Sequence, residues 1–162
     1  MKYILLGAIV VICGYIGYGI SKYYTSRVKF FRAIIAFAES LDTSINFGKE
    51  KILCILEKFK SESKEFEALL YAYKKSLIND ETEFETFLTT SKFIKEDEKH
   101  ILKCFFAELG KLDVFNQTKQ IENGKSKFAE FLRNSEEEKK KYGTLYLKLG
   151  IIFGTLIALL LF

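Results

Sequence analysis

Few side chains in this sequence could do chemistry. His100 is its one histidine, and Cys13, Cys54 and Cys104 stand singly and far apart. A zinc site draws on about four Cys or His ligands at close spacing, and a disulfide framework needs an oxidising compartment. Neither pattern is present, so no metal or cofactor is expected, and Cys54 and Cys104 read as small core residues. Glu96, Asp97 and Glu98 lie beside His100, where acid/base work could be imagined. On a helix that spacing scatters the side chains around the axis, and three acids in a first turn serve the helix dipole instead. Gly124-Lys125-Ser126 matches the end of a phosphate-binding loop, but Lys119 replaces the loop's first glycine and a helical segment precedes it. Asn116-Gln117-Thr118 fits a glycosylation sequon, which has no meaning on a cytoplasmic domain. No Ser or Cys nucleophile has a base near it in sequence. The expectation is a chain that is not an enzyme and takes no small-molecule substrate and no nucleic acid.

What the chain does contain is segregated charge. Of its 162 residues 49% are hydrophobic and 28% charged, yet all 21 acidic residues fall between Glu39 and Glu138, and the apolar excess sits at the two ends. Thr144 to Phe162 is nineteen residues, uncharged from Leu149 onward, and covers roughly 28 Å as a helix, against about 30 Å of bilayer hydrocarbon. Lys148 is near enough to the polar end to snorkel, and Tyr142 and Tyr146 sit at belt positions. Tyr3 to Ser21 is apolar over the same length. A buried core helix competes with the spanning reading for the C-terminal stretch. A cleaved signal peptide competes for the N-terminal one, although no small-x-small cleavage site stands out. The organisation expected is a transmembrane helix over 3–21, a cytoplasmic domain over 22–142 and a second transmembrane helix over 144–162. Orientation follows from Lys22, Arg27, Lys29 and Arg32 after the first span and Lys139, Lys140 and Lys141 before the second, which place the middle of a two-pass protein on the inside. The same clusters are attracted to anionic headgroups.

Neither span holds an Asp, Glu, Arg or His, which weighs against a transporter or proton relay. Small residues gather instead. Gly150, Gly154 and Ala158 repeat at four-residue spacing, and Gly7, Gly14 and Gly17 fall on one side of the first helix, so close packing of membrane helices is expected.

Between the spans the apolar residues recur with helical period, there is no proline, and the expected fold is all-α, a bundle of about six helices. Phe31, Ile34, Ile35, Ala38, Leu41 and Ile45 continue the first helix, which should stop at Asn46-Phe47-Gly48. Ile52, Ile55, Leu56 and Phe59 mark the second, and Phe66, Leu69, Leu70, Tyr73 and Leu77 the third. Asp80 with Glu83 resembles a capping box before Phe84, Phe87 and Leu88. Ile101, Leu102, Phe105 and Leu109 make the fifth, ending at a left-handed Gly110. Asp113 should cap the last, with Val114, Ile121, Phe128, Phe131 and Leu132 inward. Glu136 with Lys140 and Glu137 with Lys141 are spaced as helical ion pairs.

The stretches Leu109-Gly110-Lys111-Leu112-Asp113 with Gln117, and Lys141-Tyr142-Gly143-Thr144-Leu145-Tyr146 with Leu149-Gly150, resemble the C-terminal signature of the stage III sporulation protein AB family. Ile45-Asn46-Phe47-Gly48 is similar to that family's first turn, although Lys49 to Lys51 stands where a proline is common. The resemblance implies a domain similar to that of the F protein of type II secretion, in the mother-cell membrane around the forespore of an endospore-forming bacterium. It further implies a scaffold subunit of a sporulation-specific, secretion-like channel complex, with a secretion-type ATPase, stage III sporulation protein AA, as partner, together with other channel subunits and further copies of itself. A membrane-tethered adaptor or signalling domain outside sporulation is the alternative, and a small two-span channel subunit a third reading that lacks a polar pore stripe. For docking an ATPase, charge placement points to Glu81, Glu83, Glu85, Glu96, Asp97 and Glu98, which lie far in sequence from the basic flanks. Solvation of two helix starts accounts for the same acids.

Overall fold

The computed structural model describes residues 2–48, 52–79 and 82–160, without the side chains of residues 2–6, 9, 47, 48, 79 and 147. Seven α-helices follow one another: α1 (Lys2–Thr43), α2 (Ile52–Lys58), α3 (Lys64–Asn79), α4 (Glu83–Thr90), α5 (Glu96–Glu108), α6 (Val114–Glu138) and α7 (Thr144–Leu160). A π turn at Ser44–Gly48 ends α1, and another at Lys139–Gly143 joins α6 to α7. No strand occurs among the described residues. The absence of proline is what lets α1 and α6 reach 42 and 25 residues without a break. The chain forms two compact units, residues 29–132 and residues 1–28 with 133–162, and α1 and α6 contribute to both.

The unit 29–132 is a bundle with an aromatic core. Phe30, Phe31, Phe37, Phe66, Phe106 and Phe128 have essentially no exposed surface. Phe37 meets Phe66 at 5.7 Å between ring centroids, and Phe105 meets Phe128 edge-on at 5.0 Å. Such pairs add about 0.5–1.5 kcal/mol each beyond their buried area. Tyr73 lies among these rings and donates its hydroxyl to the Phe106 carbonyl at 3.0 Å. That bond satisfies the one polar atom of an otherwise apolar side chain.

Local signals set the ends of the helices. Asp113 Oδ1 accepts the Asn116 N–H at 2.8 Å, capping α6, and Glu98 Oε2 accepts the Lys95 N–H at 2.8 Å at the start of α5. Gly110 follows α5 with φ +78°, a backbone conformation that favours glycine, and a Cβ there would meet the Ile52 Cδ1 end at 2.5 Å and push it aside. Asp80, the expected start of the α4 capping box, lies outside the described residues. The side chain of Thr82, directly before α4, does not cap the helix; the Ser76 Oγ accepts the Phe84 N–H in its first turn at 3.0 Å instead.

Expectations about burial and pairing need correction at several residues. Cys54 and Cys104 are exposed, because Ile55 and Leu56 on α2 and Leu102, Phe105 and Phe106 on α5 take the inward positions. Cys104 does have a base beside it, His100 one turn back with Nδ1 3.9 Å from Sγ. Val114 and Leu77 are exposed as well. Val114 shares a stripe with the buried Ile121 and Phe128 at seven-residue spacing, but at the first turn of α6 no neighbouring element covers it fully. Glu136 with Lys140 and Glu137 with Lys141 do not pair. The π turn begins at Lys139 and breaks the 3.6-residue register on which the spacing relied. Gly124 and its two followers lie inside α6, with Gly124 against the Phe105 ring, so the apparent phosphate-loop end is helix interior.

Candidate interaction surfaces

Among the described residues one helical run is long and apolar enough to cross a membrane, the stretch ending in α7. The expected first span, 3–21, is helical throughout as part of α1, but the side chains of residues 3–6 and 9 lie outside the description.

Within residues 1–28 and 133–162, α1 and α7 pack antiparallel through small residues. A Cβ on Gly150 would lie 2.6 Å from the Cys13 carbonyl oxygen and 3.4 Å from Gly17 Cα. One on Gly154 would lie 3.0 Å from Val10 Cα and 3.1 Å from Cys13 Cβ. Four residues forward along α7 are matched by about four back along α1, as an antiparallel pair requires. Gly17 and Gly154 are buried and Ala158 is half-buried. Gly7 and Gly14 do not take part in this contact, since a Cβ on either would meet nothing within 4 Å. The outward faces carry Val11, Tyr15, Ile16, Ile151, Phe153, Leu156 and Leu159, all exposed. Small residues inside with large apolar ones outside invert the pattern that water imposes. It is the arrangement that suits a hydrocarbon surround.

The pair continues past the apolar stretch. Gly143 is buried near Ser21, Tyr142 stacks on Tyr24 at 5.8 Å between centroids, and Tyr142 meets Tyr146 at 6.2 Å. Burial raises the Tyr24 hydroxyl above its ordinary pKa, with Tyr146 and the Glu138 carboxylate adding to the shift. Arg27, 1% exposed, reaches Glu138 with Nε 3.7 Å from Oε2. Sequence reading placed Arg27 among the cations at the membrane flank and missed this. The signal was available, because Arg27 falls on the same helical stripe as Phe31, Ile34, Ala38 and Leu41.

The acidic residues have other occupations. Glu83 forms an ion pair with Lys75, Glu85 with Lys103 at 2.7 Å and Glu96 with Lys99 at 2.8 Å, while Glu98 is buried in its capping role. Asp97 stays exposed, and Glu81 lies outside the described residues. Glu85, Glu96, Lys99, His100 and Lys103 line one shallow depression between α4 and α5, so its charges largely cancel. A groove of about 460 Å³ opens elsewhere on the bundle, lined by Ile52, Leu53, Leu77, Leu112 and Val114 among others. No three His, Cys, Asp or Glu side chains converge to hold a metal among the described residues.

The two stretches that carry the family resemblance have structural roles here. Gln117 is buried and its Oε1 accepts the Gly110 N–H at 2.8 Å, tying the turn after α5 to α6. Tyr142, Gly143 and Gly150 all belong to the packed face of the α1–α7 pair. A family model described as stage III sporulation protein AB matches residues 2–162. No curated protein and no solved structure matches the chain.

Proposed function

Because the chain belongs to the stage III sporulation protein AB family and so has a sporulation-related role, we propose that it is a non-enzymatic platform subunit. In this reading residues 3–21, within α1, and residues 144–162, most of them in α7, are two membrane passes, and residues 22–142 form a cytoplasmic domain that couples a secretion-type ATPase to a channel complex in the mother-cell membrane. The observation that carries the anchoring is the α1–α7 pair itself, with glycines buried and large apolar side chains exposed on both helices. The basic flanks support the inward orientation of the bundle. Lys75, Lys103 and Lys99 already neutralise Glu83, Glu85 and Glu96, so among the described acids of this set electrostatic steering of the ATPase falls to Asp97, with Glu81, outside the described residues, kept from the sequence reading.

The topology is tested with cysteine accessibility: Asn79→Cys in sporulating cells should resist a membrane-impermeant maleimide, and a cysteine-bearing tag after Phe162 should be alkylated by it. Labelling at position 79 from outside overturns the orientation. For the partner, Glu81→Lys with Asp97→Lys should slow association with the purified ATPase by roughly threefold or more and flatten its salt dependence, with helix content by circular dichroism unchanged. Association indifferent to both charges and to salt removes the acidic surface as the docking site.

A further inference from the structure

Some lysines of this protein have a carboxylate beside them and others, among the described residues, do not, Lys29, Lys60, Lys64, Lys92, Lys111 and Lys119 of the bundle among the latter. In the bundle, Lys74, Lys75, Lys99, Lys103, Lys125 and Lys127 each face a glutamate within ion-pair distance. In residues 1–28 and 133–162, Lys22, Lys139, Lys140 and Lys141 are exposed, and none faces a carboxylate among the described residues. Lys141 instead places Nζ 5.1 Å from the Tyr142 ring. The imbalance extends to the whole unit, which holds eight Lys and Arg against three Glu, a net +5, while the chain as a whole is +4 and the bundle therefore −1. Glu138, the acid nearest the lysine run, is engaged by the buried Arg27. The π turn starting at Lys139 removes the register in which Glu136 and Glu137 would have met Lys140 and Lys141. Directly beyond these lysines begin the exposed apolar side chains of α7 and, beside them on α1, Tyr18, Ile16 and Tyr15.

We propose that Lys22, Lys139, Lys140 and Lys141 form a collar that binds anionic phospholipid headgroups in preference to zwitterionic ones. The inference rests on the membrane anchoring proposed above. Unpaired cations at the edge of an apolar surface meet phosphodiesters at the depth where the acyl chains already lie against α7. The neighbouring tyrosines supply the amphipathic rings that suit the same layer. Ion pairs to these four lysines within the protein would have cancelled this attraction, and the unit's net +5 leaves too few acids to make them.

The chain has no tryptophan, so a single introduced one is an unambiguous reporter. Leu145→Trp, with Phe153→Trp as a second reporter should the first disturb insertion, is reconstituted as the full chain in vesicles. The vesicles contain phosphatidylcholine with either brominated phosphatidylcholine or brominated phosphatidylglycerol, and quenching gives the relative association of each lipid. A preference of roughly three- to tenfold for the anionic lipid is expected, closing at about 1 M salt. It should fall to near unity in Lys139→Gln/Lys140→Gln/Lys141→Gln and persist in Lys99→Gln/Lys103→Gln/Lys127→Gln. Equal association of both lipids with the unaltered collar, or a preference that survives the collar substitutions, overturns the proposal while leaving the anchoring intact. No quenching by either lipid overturns the anchoring reading and the collar with it. Inorganic phosphate, matched in ionic strength to the chloride buffer, should leave the preference unchanged, and its selective loss would reassign the site to the free anion.

Discussion

Gly150 lies so close to Cys13 that any side chain on it would reach the Cys13 backbone, with a Cβ 2.6 Å from the carbonyl oxygen. Backbone cannot step aside as a side-chain end can, so the contact admits glycine alone at this separation of the helices. Four residues on, Gly154 faces Cys13 again, this time with a Cβ position 3.1 Å from Cys13 Cβ.

That second distance predicts a crosslink. Bridged cysteines have Cβ atoms about 3.5–4.5 Å apart, so a small separation of the helices suffices to join Cys13 to a cysteine at position 154. In a Cys54→Ser/Cys104→Ser background, Gly154→Cys should form an intrachain disulfide on mild oxidation, read as the loss of two alkylatable thiols in a monomeric band. Adding Gly150→Leu should suppress it sharply while membrane insertion stays intact, since leucine is at least as apolar. A disulfide-linked dimer in place of the intrachain product would place this glycine face between copies.

Gly124 gives the opposite case, a glycine inside an exposed-looking helical stretch. Intrinsic propensity predicts that Gly124→Ala stabilises α6 by about 1 kcal/mol. A Cβ there would lie 2.5 Å from Phe105 Cδ2, and the Phe105 ring is buried and packed on Phe106 and Phe128. Overpacking at such a site costs about 1–3 kcal/mol. Thermal unfolding in detergent should therefore show Gly124→Ala at or below the parent stability, and a clear gain would mean that the ring shifts freely.

The bundle was legible because its aromatic and aliphatic residues repeat with helical period: Phe31, Ile34, Ala38 and Leu41 are buried as that period requires. Gly110 and Asp113 were legible because turn chemistry is local. Three things were not. The π turn at Lys139–Gly143 leaves no mark in residue types, and it undid two ion pairs that spacing alone supports. Burial of Arg27 runs against the usual exposure of arginine, although its place on the apolar stripe indicates it. The acids at Glu83 and Glu85 read as an available surface because Lys75 and Lys103 come from other helices, which one-dimensional charge runs do not show. Lys99, three residues after Glu96 on the same helix, was by contrast visible in the spacing.

Tyr73 yields a pH prediction. Burial pushes its hydroxyl from an ordinary value of 10.0 up to about 12. Between these values the unfolded chain releases the proton and the folded one retains it, so the unfolded state binds fewer protons and stability falls as pH rises. The contribution is fully present below pH 10.0, is lost progressively toward about 12, and amounts to at most about 3 kcal/mol. Tyr73→Phe should cost about 1 kcal/mol at neutral pH through the lost bond to Phe106. Its unfolding midpoint should then decline less steeply above pH 10 than the parent's. Parallel profiles would assign the alkaline loss to other groups.

The last prediction concerns Arg27 and Glu138. Arg27 is 1% exposed and Glu138 has a side chain 26% exposed, so one charge is removed from water and the other is partly screened. Breaking a fully buried pair costs about 3–5 kcal/mol because the remaining charge is stranded, whereas replacing both by apolar groups of similar size is often neutral. The access of Glu138 to solvent moderates the first figure, and about 1–3 kcal/mol is expected for Arg27→Met. Glu138→Met should cost more than its own exposure suggests, because it leaves the guanidinium inside the helix pair with less to oppose its charge. The double variant should then be more stable than the sum of the two single losses predicts, by about 1 kcal/mol or more in a thermal or denaturant cycle run on the full chain in detergent. Additive losses would mean that each residue is held by its other neighbours and that the 3.7 Å approach contributes nothing of its own.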